Sequence, residues 1–271
     1  MTDATSQDTV KRSAAGGGAS ISISHVSMTY QSRGVRVDAL KDVSLDIAAG
    51  SFVSVLGPSG CGKSTLMMLA AGLYRPSSGE LRVDGKLLDD CYTEAGIVFQ
   101  TDVLLPWLSI LDNVLMPARI KNLNIEAATE RSRALLAQVG LSGFEKHYPG
   151  ELSGGMRQRA AICRALLSEP SVLLMDEPFG ALDALTRERM QTDINRLWAE
   201  HRKTVLLITH DIEEAVLLSD EVVVMSPRPG RILSRFQVDL PQPREPAIRR
   251  DPRFHRIVDD IRALFQQAGV L

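Results

Sequence analysis

Apolar positions along this chain switch between two periods, and each switch marks an element. From Ser20 to Tyr30 small polar and apolar residues alternate, which is the period of a half-buried strand. A second strand is expected near Val43–Ile47, followed by a turn at Ala48–Gly50. Phe52–Leu56, Val172–Met175, Val205–Thr209 and Glu221–Met225 are short and almost wholly apolar, the signature of buried strands. Ala95–Phe99 reads as a further strand. Leu81–Val83 and Lys86–Leu88 flank Asp84-Gly85, a pair that favours a tight hairpin turn.

Helical composition appears at Lys63–Gly72, Ala184–His201 and Ile212–Leu218. Between Thr101 and about Leu167 the strand signal vanishes. Helical patterns at Ile125–Val139 and Gly154–Leu167 take its place, broken by Pro106, Pro117 and Pro149. Strands alternating with helices predict an α/β fold with a largely parallel sheet covered by helices. Residues 1–19 are polar, end in a glycine run and read as a flexible tail. From Pro241 the chain is rich in proline and charge, then weakly helical over Phe254–Phe265.

Composition narrows the possibilities. The 271 residues carry a formal net charge of −2. That balance provides neither the basic face that nucleic acid demands nor attraction to an anionic membrane. Cys61, Cys91 and Cys163 form no CxxC pair, so packed, reduced thiols are expected rather than a disulfide or zinc framework. No run approaches the roughly 18 apolar residues that span a bilayer. The first twenty residues lack an apolar signal core, so service to a membrane would pass through a partner.

Gly57-Pro58-Ser59-Gly60-Cys61-Gly62-Lys63-Ser64-Thr65 fits GxxxxGK[ST], with a strand before it and a helix after. Glycines let backbone N–H groups curl around phosphate oxygens, and the helix adds its positive end. In this pattern Lys63 reaches the outer phosphates, Ser64 ligates Mg²⁺ and Thr65 sits near the α-phosphate. A chain of this length matches by chance roughly once in a hundred. The loop alone denotes a P-loop NTPase, a class that includes kinases and GTPases.

Asp176-Glu177 ends the apolar strand Val172–Met175. A buried strand delivers side chains rigidly to the carboxyl edge of a sheet, where the phosphate loop also lies. Asp176 is placed to hold Mg²⁺, and Glu177 to act as general base on the attacking water. Leu152-Ser153-Gly154-Gly155-Met156 opens an amphipathic helix, with Ser153 as its N-cap and bare glycine amides behind it. Such a helix start binds anions. One phosphate loop already encloses a nucleotide, so this one implies a second nucleotide or a site reached from another copy.

Leu152 to Gln158 resembles the signature motif of ABC ATPases. Other motifs of that family follow the same order. Gln100 is similar to the Q-loop glutamine, Glu177 to Asp183 to the acidic residue running into the D-loop, His210 to the switch histidine, and Tyr30 to the aromatic that stacks on adenine. The similarity covers roughly residues 20–240. Phe99 to Trp107, Met175 to Leu185 and Ser226 to Ile232 further resemble bacterial importers of the nitrate/sulfonate/taurine type. Met156 stands where many relatives carry Gln.

The resemblance implies a P-loop NTPase (RecA-like) core over 20–100 and 168–240. An N-terminal antiparallel β subdomain and a helical subdomain inserted at 101–167 would complete the ATPase domain 20–240, with 241–271 a C-terminal extension. It implies ATP and Mg²⁺, the latter held by Ser64, Gln100 and Asp176, with Glu177, His210 and Gln100 as the catalytic set. It also implies a head-to-tail dimer with itself or a homologous ATPase. Each site would pair the phosphate loop of one subunit with Ser153 and Gly155 of the other, and Asp183 would link the two sites. Expected partners are membrane permease subunits and an extracytoplasmic solute-binding protein, with no nucleic acid. The location implied is peripheral, on the cytoplasmic face of a bacterial membrane. A DNA- or ribosome-directed ABC ATPase is disfavoured, because the chain carries no coiled coil, second core or basic arm.

Overall fold

The computed structural model describes residues 17–32 and 34–270. Most of the expected tail therefore lies outside the described residues, and Ala19 is already buried in the core. The first sheet is antiparallel. Strands β1 (Ile21–Ser32) and β2 (Val35–Ile47) pair along their length, and β4 (Ser78–Val83) and β5 (Lys86–Leu87) extend them in the order β2-β1-β4-β5. The Asp84-Gly85 turn forms as the composition predicts, with both residues at positive φ.

The second sheet contains β3 (Phe52–Leu56), β6 (Ala95–Val98), β7 (Val172–Asp176), β8 (Thr204–Thr209), β9 (Glu221–Met225) and β10 (Ile232–Gln237). Their order is β10-β9-β3-β8-β7-β6, parallel from β9 to β6, with β10 antiparallel at the edge. The continuous apolar runs have a direct cause here: both faces of these strands are covered. Phe52 and Leu56 face one core together with α5 (Ala184–His201), α6 (Ile212–Leu218) and α7 (Pro252–Gln267). Val53 and Val55 face the other, with α1 (Lys63–Ala70) and the antiparallel sheet.

Between β6 and β7 the regular elements are helical: α2 (Ile110–Ile120), α3 (Ile125–Gln138), α4 (Gly154–Leu167) and a short 3₁₀ turn. Helix α2 runs through Pro117, where the sequence suggests a break. Its buried face of Ile110, Val114 and Ala118 joins Leu136, Ala160 and Ala161 in one cluster. This packing outweighs the hydrogen bond that proline forfeits.

The C-terminal extension is firmly attached. Phe254, Val258, Ile261 and Phe265 of α7 are buried in the core beside α6. Arg244, 2% exposed, donates to the carbonyls of Val216, Leu217 and Ser219 at the end of α6 and to those of Val238 and Leu240. It thereby satisfies acceptors that a helix terminus leaves orphaned. Burial brings its guanidinium pKa down to about 10. Arg244→Ala leaves these acceptors without their donor, at about 2–3 kcal/mol. Calorimetry should show Tm falling by roughly 5–10 °C. An unchanged melting curve would mean that solvent replaces the guanidinium.

Candidate active site

Sheet order determines which loops meet. The loops after β9, β3, β8, β7 and β6 emerge side by side at one carboxyl edge. They carry, in that order, Ser226–Arg231, Gly57–Gly62, His210, Glu177 and Gln100. Open α/β sheets bind ligands at this edge.

The phosphate loop follows β3 and turns into α1 through Gly62 at φ 107°, a conformation that costs a residue with a Cβ heavily. Lys63 is 6% exposed. Its Nζ donates to the Gly57 carbonyl at 2.7 Å and to the Pro58 carbonyl at 3.1 Å, so the loop is already curled around an ammonium group. Tyr30 lies at the mouth of the cleft, with its hydroxyl 3.2 Å from Thr65 Oγ1 and its ring edge-on to Tyr74. The cleft holds about 370 Å³. It is lined by Tyr30, Val37, Ala39, Ser59, Gly60, Gly62, Lys63, Ser64, Thr65, Gln100, Glu177 and Arg228.

Asp176 ends β7 and is buried. Burial pushes its carboxyl above the ordinary range, while the Ser64 hydroxyl and the Lys63 charge pull the other way. Glu177 follows at φ 45°, held by its amide donating to the Ile208 carbonyl at 2.9 Å. A non-glycine residue in that region is strained, and such strain clusters at working sites. Gln100 Nε2 donates to Glu177 Oε2 at 3.3 Å, and His210 Nδ1 lies 3.2 Å from the same oxygen. Elements widely separated in sequence thus converge on one carboxylate.

The family model described as ABC transporter matches residues 40–180. The chain belongs to the ABC transporter family. It is an ATPase of that family. The taurine import ATP-binding protein TauB of Burkholderia thailandensis is 48% identical over 237 residues, 86% of this chain and 91% of the relative. TauB of Pseudomonas aeruginosa is 46% identical over 237 residues, 86% of this chain and 90% of the relative. A dimeric post-hydrolysis structure of the ATP-binding cassette MJ0796, bound to ADP and Pi, superposes with a TM-score of 0.74 at 34% identity. It covers 80% of this chain and 98% of that one.

In this ABC ATPase Leu152 to Met156, the residues that resemble the signature motif, are not among the described residues that line the cleft. Ser153 caps α4, its Oγ accepting from the Met156 amide at 3.3 Å, and the Gly154 and Gly155 amides have no hydrogen bond among the described residues. A Cβ on Gly155 would approach Leu182 to 3.1 Å, so this helix start abuts the segment leading to Asp183. Asp183 caps α5, accepting from the Thr186 amide at 3.0 Å. Those Thr186 contacts hold its carboxyl below the usual range.

Helix α4 also grips the segment on both sides of Gln100. Gln158 donates to the Phe99 carbonyl, Arg157 to Asp102, and Arg164 to the carbonyls of Asp102 and Val103. These anchors were not visible in the sequence, since nothing in a helix's composition says which loop it holds. Leu104 is 7% exposed and belongs to the helical core, whereas Trp107 is 70% exposed. Cys61 and Cys163 are buried, but Cys91 is exposed, contrary to the expectation that all three pack. Arg228 lines the cleft although the sequence marks its motif only as a subfamily feature.

Proposed function

We propose that this ABC ATPase powers import of taurine or a related small sulfonate through a separate permease. The observation that carries the motor reading is the convergence of Gln100 and His210 on the carboxylate of Glu177, a residue that lines the cleft together with the phosphate loop. The TauB relatives support the solute class.

Each residue has a task in this reading. Lys63 and the loop amides Gly57 to Thr65 bind the phosphate chain, and Tyr30 packs on the base. Ser64, Asp176 and Gln100 present a hydroxyl, a carboxylate and an amide, hard oxygen donors that suit Mg²⁺. Among the described residues no cluster of three or more His, Cys, Asp or Glu side chains could hold a metal by itself. The remaining ligands would therefore be water and nucleotide oxygens. Bound there, Mg²⁺ would neutralise charge on the phosphates. Glu177 accepts a proton from the attacking water, while Gln100 and His210 keep its carboxylate aimed.

The unclaimed amides of Gly154 and Gly155, with Ser153, suit the nucleotide of a second subunit in a head-to-tail dimer. The dimeric MJ0796 cassette supports that arrangement. No helix among the described residues is long and apolar enough to cross a membrane. The import reading places permease subunits in the bilayer, with this chain at their cytoplasmic face.

The test is affinity purification of the tagged chain from gently solubilised native membranes, followed by ATPase assay of the complex. A multi-span permease should co-purify, and taurine-loaded binding protein should stimulate hydrolysis. Recovery of only soluble partners or nucleic acid overturns the reading. Trp107→Ala should keep basal ATPase and lose about tenfold of the stimulation, because an exposed tryptophan in the loop that follows Gln100 fits a permease helix. Leu104→Ala is less informative, since it opens the helical core.

A further inference from the structure

We propose that Arg228 is a nucleotide-binding residue, a second cation directed at the phosphate chain of the bound ATP. The proposal deepens the ATPase reading above and rests on it.

The loop that carries Arg228 is built onto the phosphate loop. Ser226 organises its base, with its hydroxyl 2.9 Å from the Pro227 carbonyl and 3.2 Å from the Pro229 carbonyl, its one proton shared between them, and accepting from the Arg231 amide at 3.0 Å. Pro227 and Pro229 restrict φ on either side of Arg228. Gly230 donates to the Ala39 carbonyl at 2.9 Å and accepts from the Lys41 amide at 3.0 Å, which joins the loop to β2. A Cβ on Gly230 would lie 2.1 Å from the Cys61 carbonyl oxygen. Only glycine permits that approach, so this backbone is seated directly against the phosphate loop.

Arg228 then reaches over the tip of that loop. Its Nε donates to the Gly60 carbonyl at 3.0 Å. This bond consumes one donor of a planar group that has five, so the fork is held in place with donors to spare. No carboxylate among the described residues pairs with it. The side chain lines the same cleft as Lys63, Ser64 and Thr65. A guanidinium tethered at Nε, with free terminal nitrogens at the rim of a phosphate-binding cleft, matches phosphate oxygens. Among the described residues Glu177 is the one carboxylate lining the cleft, so a second cation there makes it more complementary to a polyanion.

Direct nucleotide binding to the full chain tests this, measured by equilibrium titration at two salt concentrations with ATP, ADP and adenosine. Arg228→Ala should weaken ATP and ADP about five- to tenfold, discounted for exposure. Adenosine should bind as to wild type, and the salt dependence of ATP binding should flatten. Arg228→Lys should recover part of the affinity and most of the salt dependence, because it keeps the charge but not the fork. Three results overturn the proposal: unchanged ATP affinity in Arg228→Ala, equal losses for adenosine and ATP, or a lysine variant as weak as alanine with wild-type salt dependence. The last would make Arg228 a brace for the Gly60 backbone alone. Failure of the wild-type chain to bind ATP would instead remove the underlying ATPase reading, so the two failures are distinguishable.

Discussion

Glu177→Gln should reduce steady-state phosphate release by about 10²–10⁴-fold and leave ATP affinity within about twofold of wild type. Gln has nearly the shape of Glu and tolerates the same backbone. It still offers an oxygen to Gln100 Nε2, so the geometry around position 177 is retained. What it loses is the ability to take a proton. Because the amide from position 177 to the Ile208 carbonyl is a backbone bond, the strained φ of 45° should also persist. Binding and turnover therefore separate cleanly. If the head-to-tail dimer closes on ATP and opens on hydrolysis, the variant should elute as a dimer with ATP and as a monomer without it. Gel filtration and a phosphate assay measure both. A normal rate in Glu177→Gln would remove this residue as the base and shift the role to His210.

Lys63→Ala should weaken ATP binding by about 10²-fold, in line with loss of charge-assisted hydrogen bonds to phosphate. Two effects act together. The ammonium group that lies 2.7 Å from the Gly57 carbonyl and 3.1 Å from the Pro58 carbonyl disappears, so the loop loses its internal tie. The cleft also loses its most buried positive charge. Thermal shift distinguishes them. The Tm without nucleotide reports on the tie, and the rise in Tm with saturating ATP reports on binding. The expected outcome is a small change in the first and near-complete loss of the second. If ATP stabilises the variant as it does wild type, Gly57–Thr65 is not the phosphate site.

The residues proposed to carry the chemistry were marked in the linear chain because their physics is local. A phosphate loop needs consecutive backbone amides, a helix start needs its own cap, and an acidic pair needs only the strand that presents it. Elements whose stability comes from neighbours were missed. Helix α2 passes through Pro117 because its apolar face has α3 and α4 to pack on. Strand β10 alternates too weakly to be noticed and forms by pairing with β9. The first half of β2 is likewise held by β1. Leu104 and Trp107 sit close together in one apolar loop, yet one is core and the other surface, a distinction that local composition does not contain.

The sequence by itself determined that this chain is a P-loop NTPase with strands alternating with helices, since glycine geometry, carboxylate placement and apolar period are properties of short segments. Tertiary structure alone decided what surrounds that chemistry. It brought Gln100 and His210 onto one oxygen of Glu177, placed Arg228 at the phosphate loop and buried Arg244 against the end of α6. The physical reason is sheet order. The parallel strands β9, β3, β8, β7 and β6 set remote loops side by side, and no periodicity along the chain encodes which strands will be neighbours.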